Sequence, residues 1–492
     1  MHLSKSLYVR GLQCVKSLWL KKYKADVLTK PDKQHQAIFE IGNKVGDLAC
    51  ELFPNGKDIP YENTSFEDKI ILTQDYINEG INNIYEATFE YDGILVMVDI
   101  LNIENKRVII NEVKSSTSVS EVYIHDASIQ YYVLNALGYD VKEVNIIHIN
   151  NKYVKDGKLD LRKLFSIADV SAEVKKLQEN IPIVLKNFEK YLKDKKNEPI
   201  IDIGAHCNNP YDCDAKDYCW KHIPDYSIFN ISRLKTGKKF ELYNQKIINF
   251  TALKDISSFS SSQQIQIESE ISQKEIINKN AIKDFLNTLT YPIYHLDFET
   301  FYQAIPEFDG VSAFQQIPFQ YSLHIQDEDG SLEHKEFLAT DGIDPRYELA
   351  KRLVEDIPNN VTVLAYNMGF EKGVIRKLAN LYEEFTYDLM SIHDNFKDLM
   401  IPFQKGNYYT PKMKGSYSIK YVLPALVPQM EKAYKDLNLI HNGGEAMQAY
   451  ANLSNIKDLN EKEEYRKALL EYCKLDTLAM VKILNRLEEQ IR

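Results

Sequence analysis

The alternation of apolar and polar positions in the first third of the chain predicts a mixed sheet with a crossover helix. Residues 85–103 are rich in β-branched and aromatic side chains on both sides of a Tyr-Asp-Gly turn, which is typical of a hairpin. Residues 107–114 have the same character and predict another strand. Helical spacing over 123–137 and strand character over 141–149 complete an α/β unit.

A second set of strand and helix patterns occupies the last two hundred residues. The strand patterns lie at 291–296, 319–325 and 361–366. The helical patterns lie at 347–355, 372–384 and 461–491. These strands are expected to form one sheet.

The region between these two sets is polar and prone to form helices. Residues 171–196 read as one lysine-rich helix, and the Ser- and Gln-rich stretch 257–264 interrupts the apolar rhythm. We place the domain boundary in this region. The expected organisation is a first domain over 1–222, a helical connector over 223–289 and a second domain over 290–492.

Length and composition limit the class of protein. A chain of 492 residues with 44% hydrophobic content suggests two or three domains with substantial cores. The charged first residues and the absence of a long apolar run predict neither export nor a membrane span. The net charge of −11 argues against a non-specific nucleic-acid coat, but it leaves room for a local basic groove around an acidic site.

Three acidic motifs in the second domain indicate metal chemistry. Asp297 and Glu299 follow a strand pattern, Glu371 begins a helical pattern, and Asp476 lies one helical turn after Tyr472. Residues two apart in a strand point to the same side, so Asp297 and Glu299 can bind the same ions. Two divalent ions about 4 Å apart activate water and stabilise a leaving oxygen, and carboxylates are their usual ligands. Each motif alone would be a solvated surface feature; the ordered set predicts a two-metal hydrolase.

This ordered set resembles the DnaQ-like 3′-to-5′ exonucleases of the RNase H fold, in their tyrosine-containing branch. The resemblance covers about 200 residues and implies that Asp297, Glu299, Glu371 and Asp476 bind Mg²⁺ or Mn²⁺ while Tyr472 orients the attacking water. The chain departs from the family where Glu371 stands in place of the usual aspartate.

Two further features of the second domain leave alternatives open. Asp398 is either an additional metal ligand or an ordinary helix cap or surface acid. The segment 405–421 interleaves lysines with tyrosines, which suits either a strand-binding loop or a solvated loop with half-buried tyrosines. Its basic and aromatic residues are Lys405, Tyr408, Tyr409, Lys412, Lys414, Tyr417, Lys420 and Tyr421.

The first domain contains another acidic motif. Asp99 is followed by Glu112 and Lys114, whose carboxylates can meet at one edge of a hairpin, with the lysine available to stabilise developing phosphoryl charge. Gln130, on the next helix, is expected near the same edge, where it could contact a substrate backbone. A Glu-x-Lys on a strand is also commonly a simple cross-strand ion pair.

These residues resemble the PD-(D/E)xK nucleases, in particular the RecB-like branch that includes CRISPR-associated exonucleases with an iron-sulfur cluster. The resemblance covers about residues 1–222 and implies a restriction-endonuclease-like fold, with a metal on Asp99 and Glu112, assistance from Lys114, and Gln130 as the following motif. The helical histidine of that family falls on Gly46, for which Glu86 is a tentative substitute.

The cysteines strengthen this second resemblance. Cys14 precedes the α/β pattern, and Cys207, Cys213 and Cys219 follow it, as one and three cysteines do in the RecB-like relatives. The resemblance implies a [4Fe-4S] cluster on these four thiolates, with structural Zn²⁺ as the alternative. His206 is either a zinc ligand or a surface residue near the site. Cys50 and Cys473 are expected to be core thiols.

The complete hypothesis is a tandem nuclease that hydrolyses phosphodiesters in single-stranded or frayed ends. The expected substrate is nucleic acid, DNA rather than RNA, and the expected setting is a reducing cytoplasm with repair or defence partners. The alternative is one active exonuclease whose N-terminal domain only binds nucleic acid.

Overall fold

A computed structural model describes residues 2–60, 63–104 and 107–491. The chain divides into two units: unit 1 comprises residues 1–222 and 303–315, and unit 2 comprises residues 223–302 and 316–492. The segment predicted as a separate connector, 223–289, therefore belongs entirely to unit 2. Residues 303–315, predicted as part of the second domain, cluster with unit 1.

Unit 1 contains a mixed sheet whose hydrogen-bonded order is β2-β3-β4-β5-β6-β7, with β1 also paired to β4. Strand β4 runs antiparallel to its neighbours β3 and β5, and β5 and β6 are parallel. The strands are β1 (Leu3–Ser4), β2 (Lys57–Asp58), β3 (Asn83–Tyr91), β4 (Ile94–Glu104), β5 (Arg107–Lys114), β6 (Asp140–Ile149) and β7 (Phe165–Asp169).

Helices of unit 1 bury apolar side chains against this sheet. Helix α5 makes the crossover between the parallel strands β5 and β6, as the sequence pattern predicts. The helices are α1 (Lys5–Gln13), α2 (Val15–Tyr23), α3 (Lys33–Cys50), α4 (Phe66–Asn78), α5 (Glu121–Ala136), α6 (Leu161–Leu164), α7 (Ser171–Leu177), α8 (Ile181–Lys193) and α9 (Lys216–Cys219).

The prediction of a single helix over 171–196 is wrong, because two separate helices, α7 and α8, occupy this stretch. Pro182 occupies the first turn of α8, where its missing N–H costs no hydrogen bond. In a continuous helix the same proline would remove a bond and clash with the preceding turn.

Unit 2 contains a sheet in the order β11-β10-β9-β12-β13. Strands β9, β10 and β11 are antiparallel, whereas β12 and β13 run parallel to β9. A separate two-stranded sheet pairs β14 with β8. The strands are β8 (Ile276–Ile277), β9 (Ile293–Phe301), β10 (Ile317–Gln326), β11 (Leu332–Leu338), β12 (Thr362–Ala365), β13 (Phe396–Asp398) and β14 (Tyr408–Tyr409).

Helices of unit 2 form two apolar clusters, one on each side of this sheet. Alternate residues of β9 divide between them: Leu296 and Phe298 join one cluster with α13, α14 and α15, and Ile293 joins the other with α17 and α19. The helices are α10 (Thr236–Asn244), α11 (Ser261–Ser272), α12 (Lys279–Leu286), α13 (Arg346–Asp356), α14 (Gly369–Leu381), α15 (Thr386–Asp394), α16 (Ile401–Gln404), α17 (Ile419–Leu426), α18 (Gly443–Asn452) and α19 (Leu459–Ile491).

The predicted mixed α/β class is confirmed. Within the described ranges, no helix combines the length and the apolarity that crossing a bilayer requires.

Candidate functional site

The acidic pair of unit 2 lies on the central strand of its sheet. The sequence pattern placed Asp297 and Glu299 at the end of a strand. In the structure β9 continues to Phe301, so both residues lie within the strand. Their positions two residues apart place both side chains on the side of the sheet that α19 covers. The opposite side of the same strand presents apolar residues to the core. The strand therefore holds the two carboxylates on a rigid base.

Buried polar bonds fix the rotation of α19 against the sheet. Thr477 shares hydrogen bonds of 2.7 Å with the Ser322 hydroxyl and with His324 Nδ1. Two turns before Thr477 on the same helix, the Leu469 carbonyl accepts the Gln320 side chain at 2.8 Å. Burial lowers the pKa of His324 to about 3, which keeps the imidazole neutral. These contacts turn the residue before Thr477, Asp476, toward β9.

Three carboxylates consequently converge in unit 2. Asp297, Glu299 and Asp476 each offer an oxygen, and these atoms all lie within 4.8 Å of one another. The spacing suits a divalent cation, because oxygen ligands at about 2.0–2.6 Å from one ion lie within about 5 Å of each other. The donor set of three carboxylate oxygens is the kind that hard cations prefer.

The electrostatics of the cluster show uncompensated negative charge. Burial, followed by the Asp476 carboxylate, raises the pKa of Glu299 to about 8. Burial and the neighbouring carboxylates hold the pKa of Asp297 well above its usual range. Burial also raises the pKa of Asp476 to about 6, although the hydroxyl of Tyr434, the ammonium of Lys420 and the hydroxyl of Tyr472 act against this rise. Like charges in a buried site either bind protons or bind a cation.

Glu371 lines the same cavity from the first turn of α14. Its carboxylate is buried but does not belong to the group within 4.8 Å, and its Oε2 has no hydrogen-bond partner among the described residues. Burial is the main cause that raises its pKa to about 8. An unpaired buried carboxylate oxygen is costly, so Glu371 is a natural fourth ligand for a cation in the cavity.

Asp398 does not act as a metal ligand in this arrangement. Its Oδ1 accepts the backbone N–H groups of Asn367 and Met400, both at 2.9 Å, and Met400 directly precedes α16. The helix-cap alternative is wrong, because the N-cap of α16 is Met400 and no side chain caps this helix. The surface alternative is wrong too, because Asp398 is only 8% exposed.

Tyr472 contacts the cluster together with two residues that the sequence motifs did not include. Tyr434 donates its hydroxyl to Asp476 Oδ1 at 2.6 Å. The Lys420 ammonium lies 5.2 Å from the ring centres of both Tyr434 and Tyr472. Tyr434 stands 42 residues from its partner with no motif around it, and the only sequence signal for Lys420 was the lysine and tyrosine content of its segment.

The segment 405–421 serves two different purposes. Tyr408 and Tyr409 form β14 and are buried, so they cannot stack on a strand of nucleic acid. Tyr417 and Lys420 line the acidic cavity. Both readings of this segment are therefore partly wrong, since one end supports the core and only the other faces the site.

The predicted residues of unit 1 also come together. Glu112 is 1% exposed, and its Oε1 accepts the Lys114 ammonium at 2.7 Å while its Oε2 accepts the Gln130 side chain at 2.7 Å. Asp99, on the neighbouring strand, accepts the backbone N–H of Val113 at 2.7 Å. Geometry alone therefore groups all four residues.

Two unpredicted residues change the character of this group. The Lys5 ammonium, at the start of α1, lies 2.7 Å from Glu112 Oε1, 3.9 Å from Asp99 and 3.8 Å from Asp126. Lys114 also contacts Asp126 at 2.7 Å. Burial would raise the pKa of Glu112, but the two ammonium groups hold it well below its usual range.

A divalent cation does not fit between Asp99 and Glu112 in this arrangement. Both oxygens of Glu112 already accept hydrogen bonds, Oε1 from the Lys5 ammonium and Oε2 from the Gln130 side chain. The same ammonium lies 3.9 Å from Asp99. Of the residues that the structure describes, only the unit 2 cluster meets the spacing for a metal. The predicted metal centre of unit 1 is thus an ion-pair network here.

The four cysteines named above line one small cavity of unit 1, together with His206. Cys14 separates α1 from α2, and burial raises its pKa against the backbone N–H groups of Ser17 and Lys16. Burial raises the pKa of Cys219 to about 11. Ligation therefore requires the thiols to release protons, as thiolate sites generally do.

The spacing of these thiols distinguishes between candidate groups. Zinc held by four thiolates at about 2.3 Å places the sulfur atoms about 3.8 Å apart. Among the described residues, no three of the four Sγ atoms lie within 4.8 Å of one another. The described thiols therefore do not have the spacing of a single-ion site in this arrangement.

The other two cysteines differ from each other. Cys473 is buried as expected, but its Sγ lies 3.8 Å from Asp297 Oδ2, so it packs directly against the acidic cluster. Cys50 is only partly buried, and it packs at the edge of an apolar cluster of unit 1.

Comparison with known proteins finds a family model that matches part of the chain, and several proteins that are similar to part of it. The model of the domain of unknown function DUF2779 matches residues 294–418, a range that includes Asp297, Glu299 and Glu371 and ends before Asp476. An uncharacterised protein of Ureaplasma parvum is 29% identical over 210 residues, which are 38% of this chain and 30% of that protein.

Two further relatives come from mycoplasmas. An uncharacterised protein of Mycoplasma genitalium is 26% identical over 244 residues, which are 46% of this chain and 36% of that protein. Its homologue in Mycoplasma pneumoniae is 26% identical over 227 residues, or 43% and 34% of the two chains. The matches span about a third of the length of these curated relatives.

Proposed function

We propose that the chain is a metal-dependent nuclease that hydrolyses phosphodiesters of DNA at single-stranded or frayed ends, with its catalytic centre in unit 2. The observation that carries the proposal is the convergence of Asp297, Glu299 and Asp476 within 4.8 Å, with Glu299 and Asp476 buried and Asp297 partly buried. Among the described residues, no lysine or arginine forms an ion pair with these three acids. The DnaQ-like resemblance supports the same centre, since its motifs name these acids in the same order.

Asp297, Glu299 and Asp476, with Glu371 beside them, would hold Mg²⁺ or Mn²⁺. Bound ions of this kind lower the pKa of water and stabilise the charge on a leaving oxygen. The chain's own contribution is positioning: Tyr434 fixes the Asp476 carboxylate through its 2.6 Å hydrogen bond. Tyr472, packed against the Tyr434 ring, would orient the attacking water.

Unit 1 favours the alternative in which it binds nucleic acid without hydrolysing it. The reason is the pairing of Glu112 with both Lys5 and Lys114, which occupies the carboxylate that a divalent ion would need. The four thiols of this unit would hold a [4Fe-4S] cluster rather than Zn²⁺, because their spacing is wider than a tetrahedral zinc site needs. Such a cluster would persist in a reducing cytoplasm, where repair or defence proteins are the expected partners.

The decisive experiment measures degradation of end-labelled single strands of DNA and RNA, with Mg²⁺, Mn²⁺ or EDTA. Asp297→Asn is expected to abolish all metal-dependent products, and Lys114→Ala to leave the rate unchanged. The ladder of products from 5′- and 3′-labelled strands gives the polarity.

Two results would contradict this assignment. Full activity of Asp297→Asn would remove unit 2 as the catalytic centre. Separate losses of activity in Asp297→Asn and Lys114→Ala would restore the tandem hypothesis with two active centres.

A further inference from the structure

The cavity that contains the acidic cluster has a second wall of opposite charge. Its volume is about 730 Å³, and beside the carboxylates it is lined by a segment of unit 2 that precedes the sheet, residues 229–233, and by Lys239 of α10. Arg233 and Lys239 on this segment, with Lys420 nearer the acids, make the wall basic. A cavity with carboxylates on one side and cations on the other suits a ligand that carries several phosphates and bridges both.

Arg233 is an exposed residue of this wall. Its guanidinium lies 5.2 Å from the centre of the Tyr417 ring. Among the described residues, no carboxylate lies within ion-pair distance of it. A guanidinium stacked on an aromatic ring keeps its in-plane N–H donors available, and these match two oxygens of a phosphate.

The backbone that carries Arg233 is held by buried side chains of α11. Gln266, which is 1% exposed, accepts the Ser232 N–H at 2.8 Å and donates to the Asn230 carbonyl at 3.1 Å. Gln263 donates to the Ser232 carbonyl at 2.9 Å. Three hydrogen bonds within three residues leave this segment little freedom, so the guanidinium is positioned before any ligand arrives.

The segment that carries Tyr417 is fixed against the same backbone. Gly415 has φ +75°, and a Cβ at this position would lie 2.3 Å from the Asn230 carbonyl oxygen and 2.4 Å from the Gln266 side chain. Its N–H donates to the buried Tyr409 hydroxyl at 3.0 Å. Only glycine permits this approach. The ring and the guanidinium therefore form one preorganised surface.

We propose that Arg233, stacked on Tyr417, is a phosphate-binding subsite for the single strand of DNA that leads into the acidic cluster, with Lys239 as a second cation. This subsite lies in the stretch that the sequence presents as a mere connector. The proposal rests on the proposed nuclease function and names where the strand is held beyond the reacting bond. Tyr417 and the exposed ring of Phe370 at the cavity offer stacking surfaces for unpaired bases.

The test separates strand binding from hydrolysis. Binding of a short 5′-fluorescein-labelled single strand of DNA is measured by anisotropy over a range of salt, in the full chain carrying Asp297→Asn. Arg233→Gln is expected to weaken binding about tenfold and to reduce the slope of log affinity against log salt by about 0.7, the value for one phosphate contact on a single strand. Arg233→Lys should keep that slope.

Lys246→Gln provides a matched control. Arg233 has a positive φ of 53°, and Lys246 has a positive φ of 63°. The Lys246 ammonium lies 5.9 Å from the centre of the Tyr243 ring, but Lys246 does not line the cavity. The Lys246→Gln variant should leave unchanged both the affinity for the strand and the slope of log affinity against log salt. Equal effects of Arg233→Gln and Lys246→Gln, or no binding by the full chain at low salt, would overturn the subsite.

A second measurement distinguishes failure of the subsite from failure of the function. Bis(p-nitrophenyl) phosphate has no neighbouring phosphate, so its metal-dependent hydrolysis should not change in Arg233→Gln, whereas degradation of long strands should slow. Loss of both activities would overturn the subsite, since it would indicate general damage to the cavity. If no preparation hydrolyses either substrate and the binding difference persists, the nuclease function fails and the subsite stands.

Discussion

The acidic cluster of unit 2 should make the metal-free protein less stable as pH rises. In the unfolded chain Glu299 ionises near its ordinary pKa of 4.5, whereas in the folded protein its pKa is about 8. The folded state therefore holds a proton that the unfolded state has released. Because the folded pKa is the higher one, the contribution is favourable below about pH 4.5 and is lost as pH rises through about 8.

The size of this effect follows from the shift. One pKa unit corresponds to about 1.4 kcal/mol, so the shift of Glu299 amounts to on the order of 5 kcal/mol of unfolding free energy. For a unit of this size, that loss lowers the melting temperature by on the order of 10 °C. A metal that binds only the folded state restores about 2.7 kcal/mol at a hundred times its dissociation constant.

Calorimetric melting in EDTA between about pH 5 and about pH 9 measures the loss of stability as pH rises. Repeating the scan with Mn²⁺ measures how much of that stability the metal restores. Glu299→Gln should flatten the pH dependence of the metal-free protein and remove most of the recovery. Glu268→Gln, an exposed position on α11, serves as the isosteric control and should behave as the native chain. If the melting temperature in EDTA falls equally with pH in the native protein and in Glu299→Gln, the reasoning is refuted.

Three further predictions concern single contacts. Tyr434→Phe removes the hydroxyl that fixes Asp476, so the rate of metal-dependent hydrolysis should fall about 10- to 100-fold with an unchanged melting temperature; an unchanged rate would show that the contact does not serve the reaction. Lys5→Ala leaves the buried acids of unit 1 undercompensated, so isothermal titration calorimetry should detect one additional Mn²⁺ site, and the native stoichiometry would contradict the displacement argument. Cys14→Ser should lose iron and the visible absorbance of an anaerobic preparation, whereas a colourless native protein that contains zinc would contradict the cluster.

Periodicity predicted the elements that carry the candidate site but not all their limits. The apolar run before Asp297 marked β9, and the helical pattern near the C-terminal part of the chain marked α19. The strand runs through the acids because Phe298 and Phe301 continue the buried apolar positions beyond them. The extent of a strand depends on its partners, here β10, and a local pattern does not contain that information.

The residues that the sequence did not reveal act through distant contacts. Tyr434 reaches Asp476 across 42 residues, and Lys5 reaches Glu112 across 107 residues. Neither has a neighbouring motif, since a single hydroxyl or ammonium acquires its role only when the fold brings a carboxylate to it. Motif spacing therefore located the acids in both units and could not tell which of them were already paired.

That pairing explains why two acidic groups with similar motifs differ in their chemistry. In unit 1 two ammonium groups touch Glu112, and they hold its pKa well below the usual range. In unit 2 the closest cation, Lys420, lies over tyrosine rings, and the pKa values of Asp297 and Glu299 rise. A buried acid with a lowered pKa already has its counter-charge, whereas a group of acids with raised pKa values gains free energy from a cation. Burial also raises the pKa of Asp99 in unit 1, to about 7, so the difference between the units rests on Glu112, whose two oxygens already accept donors. The proposed metal site is therefore the cluster of unit 2, where three carboxylate oxygens lie within 4.8 Å of one another.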